Sequence, residues 1–311
     1  MSDSLIAIAG RGWVVIASDA MAAHSIIAAK GDEDKIATGI AKLLEEDLTI
    51  RYENNAETKQ MCIYGLGEMH IDVITSKLKN RFGTTVTISP AKVPYRETIK
   101  KKVQVEGKHK KQSGGHGQYG HVKIEFSPGT TDGLEFTETI FGGSVPKNFH
   151  PAVEKGLQES MAKGVLAGYP VIGIKANLFD GSYHDVDSSE MSFKLAANLA
   201  FKEGMKQGGA VLLEPVGELR VSIPTSYSGD IMGDISKRRG RIMGMSESGR
   251  KGFTVIEAEV PSAEMGTYAI QLRAMTQGRG SYSFNFVRYE EAPAEVAAKV
   301  IEAAKKEAAV E

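Results

Sequence analysis

Cysteine is almost missing: Cys62 is the only one in 311 residues. One cysteine rules out an internal disulfide and any zinc site built from several thiolates. It also fits a reducing, cytoplasmic setting. No apolar run approaches the ~20 residues that cross a bilayer. Met1 to Ala9 lacks the basic start and long apolar stretch of a signal peptide. The phosphate-loop pattern G-x-x-x-x-G-K-[ST] occurs nowhere, so the chain has no recognisable means of holding a nucleoside triphosphate. Excess charge is missing too, with a formal net charge of −1. Any case for nucleic acid must therefore rest on local patches.

The length suggests two or three domains, and the chain carries one periodic arrangement twice. In the first copy Ser25–Ala28 reads as a strand. Asp32–Asp47 reads as a helix, with Ile36, Ile40 and Leu43 on one face. Strands at Leu48–Glu53 and Gln60–Tyr64 follow. A helix over Gly65–Phe82 is stopped by Gly83, and a strand at Thr84–Ile88 closes the unit. The second copy runs Glu218–Ile223, helix Thr225–Arg239 stopped by Gly240, strands Arg241–Met245 and Phe253–Val260, a helix capped by Ser262, and strand Ser281–Arg288. The order βαββαβ is the ferredoxin-like arrangement. Pro90–Glu97 and Val211–Pro215 read as linkers. Between them lie a basic strand region at Thr98–Lys111, a strand at His121–Phe126, a helix at Lys147–Gly164, a strand at Pro170–Phe179 and a helix at Ser188–Gln207. Asp187 with Glu190 reads as the capping box of that last helix. Its polar stripe is Lys194, Asn198 and Lys202, with the rest apolar and expected to be buried. The expected fold is α+β, with two ferredoxin-like βαββαβ domains flanking a larger α+β middle domain.

Two polar loops in the middle segment carry the chemistry. The first is Lys110-Lys111-Gln112-Ser113-Gly114-Gly115-His116-Gly117-Gln118-Tyr119-Gly120-His121. The second is Gly181-Ser182-Tyr183-His184-Asp185-Val186-Asp187-Ser188-Ser189-Glu190. Neither is apolar enough to be buried, so both read as surface loops. Lys100 to Lys123 holds seven lysines against the single acidic Glu106. Gly115, Gly117 and Gly120 satisfy G-x-G-x-x-G, but a strand rather than a helix follows, which argues against a dinucleotide site. They read either as a plain glycine-rich hairpin tip or as backbone able to press on a phosphate. His109, His116, His121 and His184 match no metal-ligand spacing, so no metal is expected. His184 precedes a helix start, where anions are favoured; a solvated turn histidine is the other reading. Lys237, Arg238, Arg239 and Arg241 end a helix, either as cations favoured by its dipole or as RNA contacts. Glu68 and His70 are two apart on a helix and do not face each other, so they make no catalytic pair.

Four motifs, in order, are similar to one family: Gly65-Leu66-Gly67-Glu68-Met69-His70, Gln112 to His121, Gly181 to Glu190, and Gly233-Asp234-Ile235-Ser236-Lys237-Arg238-Arg239-Gly240. From about Gly31 onward the chain resembles the C-terminal half of bacterial elongation factor G, a translocation GTPase. The resemblance implies its third domain at 30–95, its tip-bearing fourth at 96–211, its fifth at 212–290 and a helical tail at 291–311. It implies a tip, formed by Ser113 to Tyr119 with His184 to Asp187, that enters the ribosomal decoding site. His184 falls where the archaeal and eukaryotic counterpart carries a modified histidine.

The expected RNA-contacting residues are Lys108, Lys110, Lys111, Gln112, Ser113, Gly114, Gly115, His116, Gly117, Gln118, His184, Asp185 and Asp187. Lys237, Arg238, Arg239 and Arg241 are further candidates, toward the large-subunit RNA and stalk base. The expected partners are the ribosome with its tRNA and mRNA, contacted by a cytoplasmic monomer. The family's GTPase, with its GTP and Mg, lies in preceding domains, so this segment is expected to be non-catalytic and to hold no cofactor. A paralogue acting in ribosome recycling or protection is the alternative. Met1 to Ala29 has a different flavour. It resembles the start of a proteasome β-type subunit without that enzyme's N-terminal threonine; a plain first hairpin is the other reading. With such a leader and no GTPase, the chain reads as a fragment or a fusion.

Overall fold

A computed structural model of the chain describes residues 22–28, 33–55, 60–65, 67–112 and 117–310. The leader strands expected around Arg11-Gly12, and with them the proteasome-like resemblance, lie outside the described residues. The chain divides into two compact units, Met1–Pro94 with Glu214–Tyr289 and Tyr95–Leu213 with Glu290–Glu311.

The first unit contains both ferredoxin-like repeats. One comprises β1 (Ala22–Ala28), α1 (Glu33–Glu46), β2 (Arg51–Asn55), β3 (Gln60–Gly65), α2 (Glu68–Phe82) and β4 (Val86–Pro90). Its sheet order is β2-β3-β1-β4, with β1 antiparallel to both β3 and β4. Apolar residues three and four apart give each helix one inward face, so Ile36, Ile40 and Leu43 share a core with Ile71, Ile74 and Leu78. Gly83 ends α2 in the left-handed conformation at φ 67°, as expected of a residue without Cβ.

The other repeat uses β10 (Ala210–Pro224), α5 (Ser228–Lys237), β11 (Arg241–Glu247), β12 (Phe253–Pro261), α6 (Tyr268–Thr276) and β13 (Ser281–Glu291). Its order β11-β12-β10-β13 repeats the first topology. Period-two alternation sends Leu219, Val221 and Ile223 of β10, and Ile256, Ala258 and Val260 of β12, into a core closed by Ile231, Ile235, Tyr268 and Leu272. Ser262 opens a short 3-10 turn rather than α6, which starts at Tyr268 after Thr267.

The second unit carries β5 (Arg96–Ile99), β6 (Val103–Lys111), β7 (Gln118–Pro128), β8 (Leu134–Glu138), α3 (His150–Met161), β9 (Ile174–Ser182), α4 (Glu190–Gln207) and α7 (Ala294–Val310). Its main sheet runs β6-β7-β9-β8, antiparallel except for β8 beside β9. The expected linker at Val211–Pro215 is instead part of β10: Ala210 to Leu213 pair with Ile99 to Arg96 of β5. Pro215, which has no N–H to donate, stands between this ladder and the one that begins at Val216.

Helices α3 and α4 cover one face of the β6-β7-β9-β8 sheet, where Val105, Val122, Ile124, Phe126 and Leu178 meet Leu157, Phe193, Ala197 and Phe201. Alanines on α4 let it come very close. A Cβ on Gly107 would fall on the Ala196 carbonyl oxygen, and one on Gly120 on that of Ser192. Backbone on both sides of these contacts leaves little room to give. Gly107→Ala and Gly120→Ala are each expected to lower stability by about 2–3 kcal/mol in urea denaturation. Gly133→Ala, which meets nothing within 4 Å, should stay within about 0.5 kcal/mol of the parent. One expectation for α4 fails. Met191, Leu195 and Leu199 are exposed (59%, 38% and 43%), because sheet and α3 together leave this third stripe uncovered.

Candidate nucleic-acid interface

Strand register sets the geometry of the tip. In the β6–β7 hairpin Lys108 stands opposite His121, Lys110 opposite Tyr119 and Lys111 opposite Gln118. On its other side β7 pairs with β9, His121 opposite Ser182. The hairpin turn and the loop that leaves β9 after Ser182 therefore emerge at the same end of the sheet. Side chains alternate along β6. Val105 and Gly107 face the helices, while Lys108 and Lys110 lie on the exposed face, with Lys111 and Gln112 exposed at the strand's end. Ser113, Gly114, Gly115 and His116 lie outside the described residues.

Asp187 joins the two loops. Its Oδ1 accepts the Gly117 N–H at 2.9 Å, and its carbonyl oxygen accepts the Tyr119 N–H at 2.8 Å. The Ser188 hydroxyl donates to the Tyr119 carbonyl at 3.0 Å and accepts the His184 N–H at 2.9 Å. Gly117 sits so close that a Cβ there would meet the Asp187 carboxylate at 2.9 Å. The second loop thus adds to the hairpin as a short parallel bridge, Tyr119 beside Ser188. Asp187 was expected to cap α4. The cap is Ser189, whose Oγ accepts the Ser192 N–H, and Asp187 is used in the clasp.

Behind the clasp lies a polar relay. Ser182 Oγ is 2.7 Å from the Tyr119 hydroxyl and 2.6 Å from His121 Nδ1. His121 Nε2 lies 2.9 Å from Glu106 Oε1 without hydrogen-bond alignment, a Coulombic contact. Burial pulls the His121 pKa below its usual value; Glu106 opposes this, and Lys108 and Lys123 add to it. The shift favours the neutral imidazole, so His121 supports the tip rather than charging it. The Lys108 ammonium lies over the Tyr119 ring, 5.9 Å from its centroid, and His109 Nε2 meets Gln118 Oε1 at 2.9 Å. Asp185 and His184 are exposed beyond the clasp. Among the described residues, no group of three His, Cys, Asp or Glu side chains is placed to hold a metal. Nor is any described helix long and apolar enough to cross a membrane.

The structure separates the second cation cluster. Arg238 is buried: it pairs with Asp234 at 2.8 Å, donates to the Glu264 carbonyl and to Gln271, and lies 5.0 Å from the Tyr268 ring centroid. Arg239 takes both carboxylate oxygens of buried Glu214 at 2.7 and 2.9 Å and reaches Glu264 at 2.9 Å; these bonds raise its pKa further. Both arginines hold their own domain together. Lys237 and Arg241 are exposed, Arg241 reaching Glu259 at 2.5 Å. In the first repeat His70 pairs with Asp47 across the sequence at 2.9 Å, and Thr49 hydrogen bonds hold that carboxyl below its usual pKa.

The clasp and the relay escape a reading of the sequence because their members are about 60 to 70 residues apart. The one available signal is Gly120. It sits at an inward position of an alternating strand, where a missing side chain means close packing.

Comparison with known proteins identifies the domains. Models of elongation factor G domain III, domain IV and the C-terminus match residues 18–90, 91–209 and 211–300 in turn. The elongation factor G-like protein of Thermotoga maritima is 49% identical over 279 residues, which cover 89% of this chain and 41% of that protein. A crystal structure of a Thermus thermophilus protein matches with a TM-score of 0.82 at 40% identity, over 92% of this chain and 43% of that one. The chain thus spans about two fifths of the length of these relatives. It belongs to the elongation factor G family, of which it carries domain III, domain IV and the C-terminal domain in consecutive order.

Proposed function

We propose that this chain is the ribosome-engaging portion of a translation elongation factor, whose domain IV tip leans on RNA during movement of tRNA and mRNA. The observation that carries this reading is the Asp187 clasp, which makes one prong of two distant loops at the end of a lysine-bearing hairpin. A prong with exposed lysines suits phosphate backbone, because each ammonium near a phosphate releases condensed counterions. The tip residues are Lys108, Lys110, Lys111, Gln112, Ser113, Gly114, Gly115, His116, Gly117, Gln118, His184 and Asp185, with Asp187 as the brace. In the C-terminal domain the RNA contacts are Lys237 and Arg241, the two exposed cations of the helix-end cluster. The chain works as a monomer in three functional parts, a first that includes β1 and runs from about 22 to 95, then 96–211 and 212–290. It needs no cofactor; GTP and Mg belong to the rest of a longer factor. A second reading, a paralogue of ribosome recycling or protection, keeps the same partner with a different task; the Thermotoga relative is an elongation factor G-like protein.

The test is cosedimentation of the 311-residue chain with bacterial 70S ribosomes in rising KCl. Affinity should fall steeply, by about one decade or more between about 50 and 200 mM for several phosphate contacts. Salt-independent binding, or none, would overturn the reading. A single-round translocation assay with a full-length factor carrying these domains then separates the two tasks.

A further inference from the structure

We infer that the turn from Tyr183 to Ser188 holds His184 as its Nε2–H tautomer, so that the tip offers RNA one oriented hydrogen-bond donor, directed at a phosphate oxygen. The tautomer follows from the turn alone; the identity of the acceptor rests on the ribosomal reading above.

Two backbone N–H groups approach one ring nitrogen. Val186 N lies 3.4 Å and Asp187 N 3.3 Å from His184 Nδ1. A backbone N–H cannot donate to a nitrogen that itself carries hydrogen, so Nδ1 presents its lone pair and the ring hydrogen resides on Nε2. The rival arrangement would have Nδ1–H donate to Asp187. Asp187 Oδ2 is 3.6 Å away, beyond a hydrogen bond, and Oδ1 of the same carboxylate already accepts the Gly117 N–H.

The turn is fixed at both ends. Ser188 N–H donates to the His184 carbonyl at 3.0 Å, His184 N–H donates to Ser188 Oγ at 2.9 Å, and that hydroxyl is tied to β7 through Tyr119. The imidazole tilts against the Tyr119 ring with centroids 6.5 Å apart. Its side chain is 57% exposed, and Nε2 meets no partner among the described residues. A held ring with an open N–H at the end of a lysine-flanked prong is a donor waiting for an acceptor. The lysines make a phosphate oxygen the acceptor that concentrates there.

Nitrogen-15 NMR of the labelled full chain above the imidazole titration range reads the tautomer directly. A pyridine-type Nδ1 with a pyrrole-type Nε2 is expected for His184, and the reverse pattern overturns the inference. Two substitutions then test the donor against 70S ribosomes at fixed salt. His184→Gln can place an amide N–H near the Nε2 position, whereas His184→Asn reaches only as far as Nδ1. Binding by the glutamine variant should stay within about twofold of the parent, and the asparagine variant should bind about tenfold more weakly, the worth of one hydrogen bond to a charged acceptor. Equal loss in both variants, with unchanged thermal midpoints, overturns the donor role. Failure of the parent to bind ribosomes would instead sink the ribosomal reading, and the spectrum would still decide the tautomer.

Discussion

Replacing Glu97 with alanine is expected to lower the stability of the unit containing the tip by about 4 kcal/mol or more. Glu97 lies in β5 with no solvent exposure. Its carboxylate is the centre of a loop. Oε2 accepts N–H groups from Val165 and Leu166 at 2.8 and 2.9 Å, and Oε1 from Ala167 and Tyr169 at 2.9 and 3.2 Å. The Glu97 backbone is fastened to the same segment, its N–H to the Pro170 carbonyl and its carbonyl to the Ile172 N–H. Gly164 comes so near that a Cβ there would fall on the carboxylate. Alanine would leave four part-buried backbone donors without their acceptor. Each unsatisfied buried donor costs about 1–3 kcal/mol, partly relieved where the loop can open to solvent. Glu97→Gln keeps one acceptor oxygen but turns an NH2 group toward two N–H donors, so it should lose nearly as much. The measurement is urea denaturation followed by circular dichroism, with limited proteolysis at Gly164–Tyr169 as the local readout. A Glu97→Ala variant within about 1 kcal/mol of the parent, its loop uncut, would show that the carboxylate is not what holds this segment.

Glu97 also marks how far the sequence is legible. The two ferredoxin-like repeats are readable because their signals are local: Ile36, Ile40 and Leu43 mark a helix face within eight residues, and the β12 alternation of Ile256, Ala258 and Val260 lies within five. The tip's location is readable because glycine, lysine and the absence of apolar residues are local too. Pairings across the chain leave no such mark. Glu97 looks like the last residue of a linker, and nothing near it announces four donors about 70 residues on. Strand β8, five residues with two glutamates, is too short and too polar to stand out from the loop around it. It exists because it lies parallel to β9 and its partly buried Leu134 and Phe136 pack on the core. Cation clusters mislead for a related reason. Lys237 to Arg241 reads as one basic patch, yet Arg238 and Arg239 turn inward to carboxylates brought from 214, 234 and 264. Composition supplies the charge; only the fold says which charges are already matched.

That distinction decides what the tip lysines should do. Changing Lys108, Lys110 and Lys111 together to alanine is expected to weaken binding to 70S ribosomes about 100-fold near about 0.1 M salt, and to cut the slope of log affinity against log salt by about 2–3. All three side chains are exposed on β6, with no ion-pair partner among the described residues, so removing them breaks no salt bridge among those residues. Lys108 alone has a ring contact, with Tyr119, of the modest strength of an exposed cation–π pair. The loss should therefore appear in binding and leave the unfolding midpoint nearly unchanged. Arg238→Ala and Arg239→Ala should behave in the opposite way, costing stability first, because each would leave a partly buried carboxylate without its partner. The shape of the loss carries as much meaning as its size. If the lysines meet phosphates, low salt should deepen the difference between parent and variant, and high salt should erase it. If they meet protein side chains or base edges, the two binding curves should run nearly parallel in salt. A triple variant with parent-like affinity and parent-like slope would remove the electrostatic argument for the prong altogether, leaving the Asp187 clasp as a feature of folding alone.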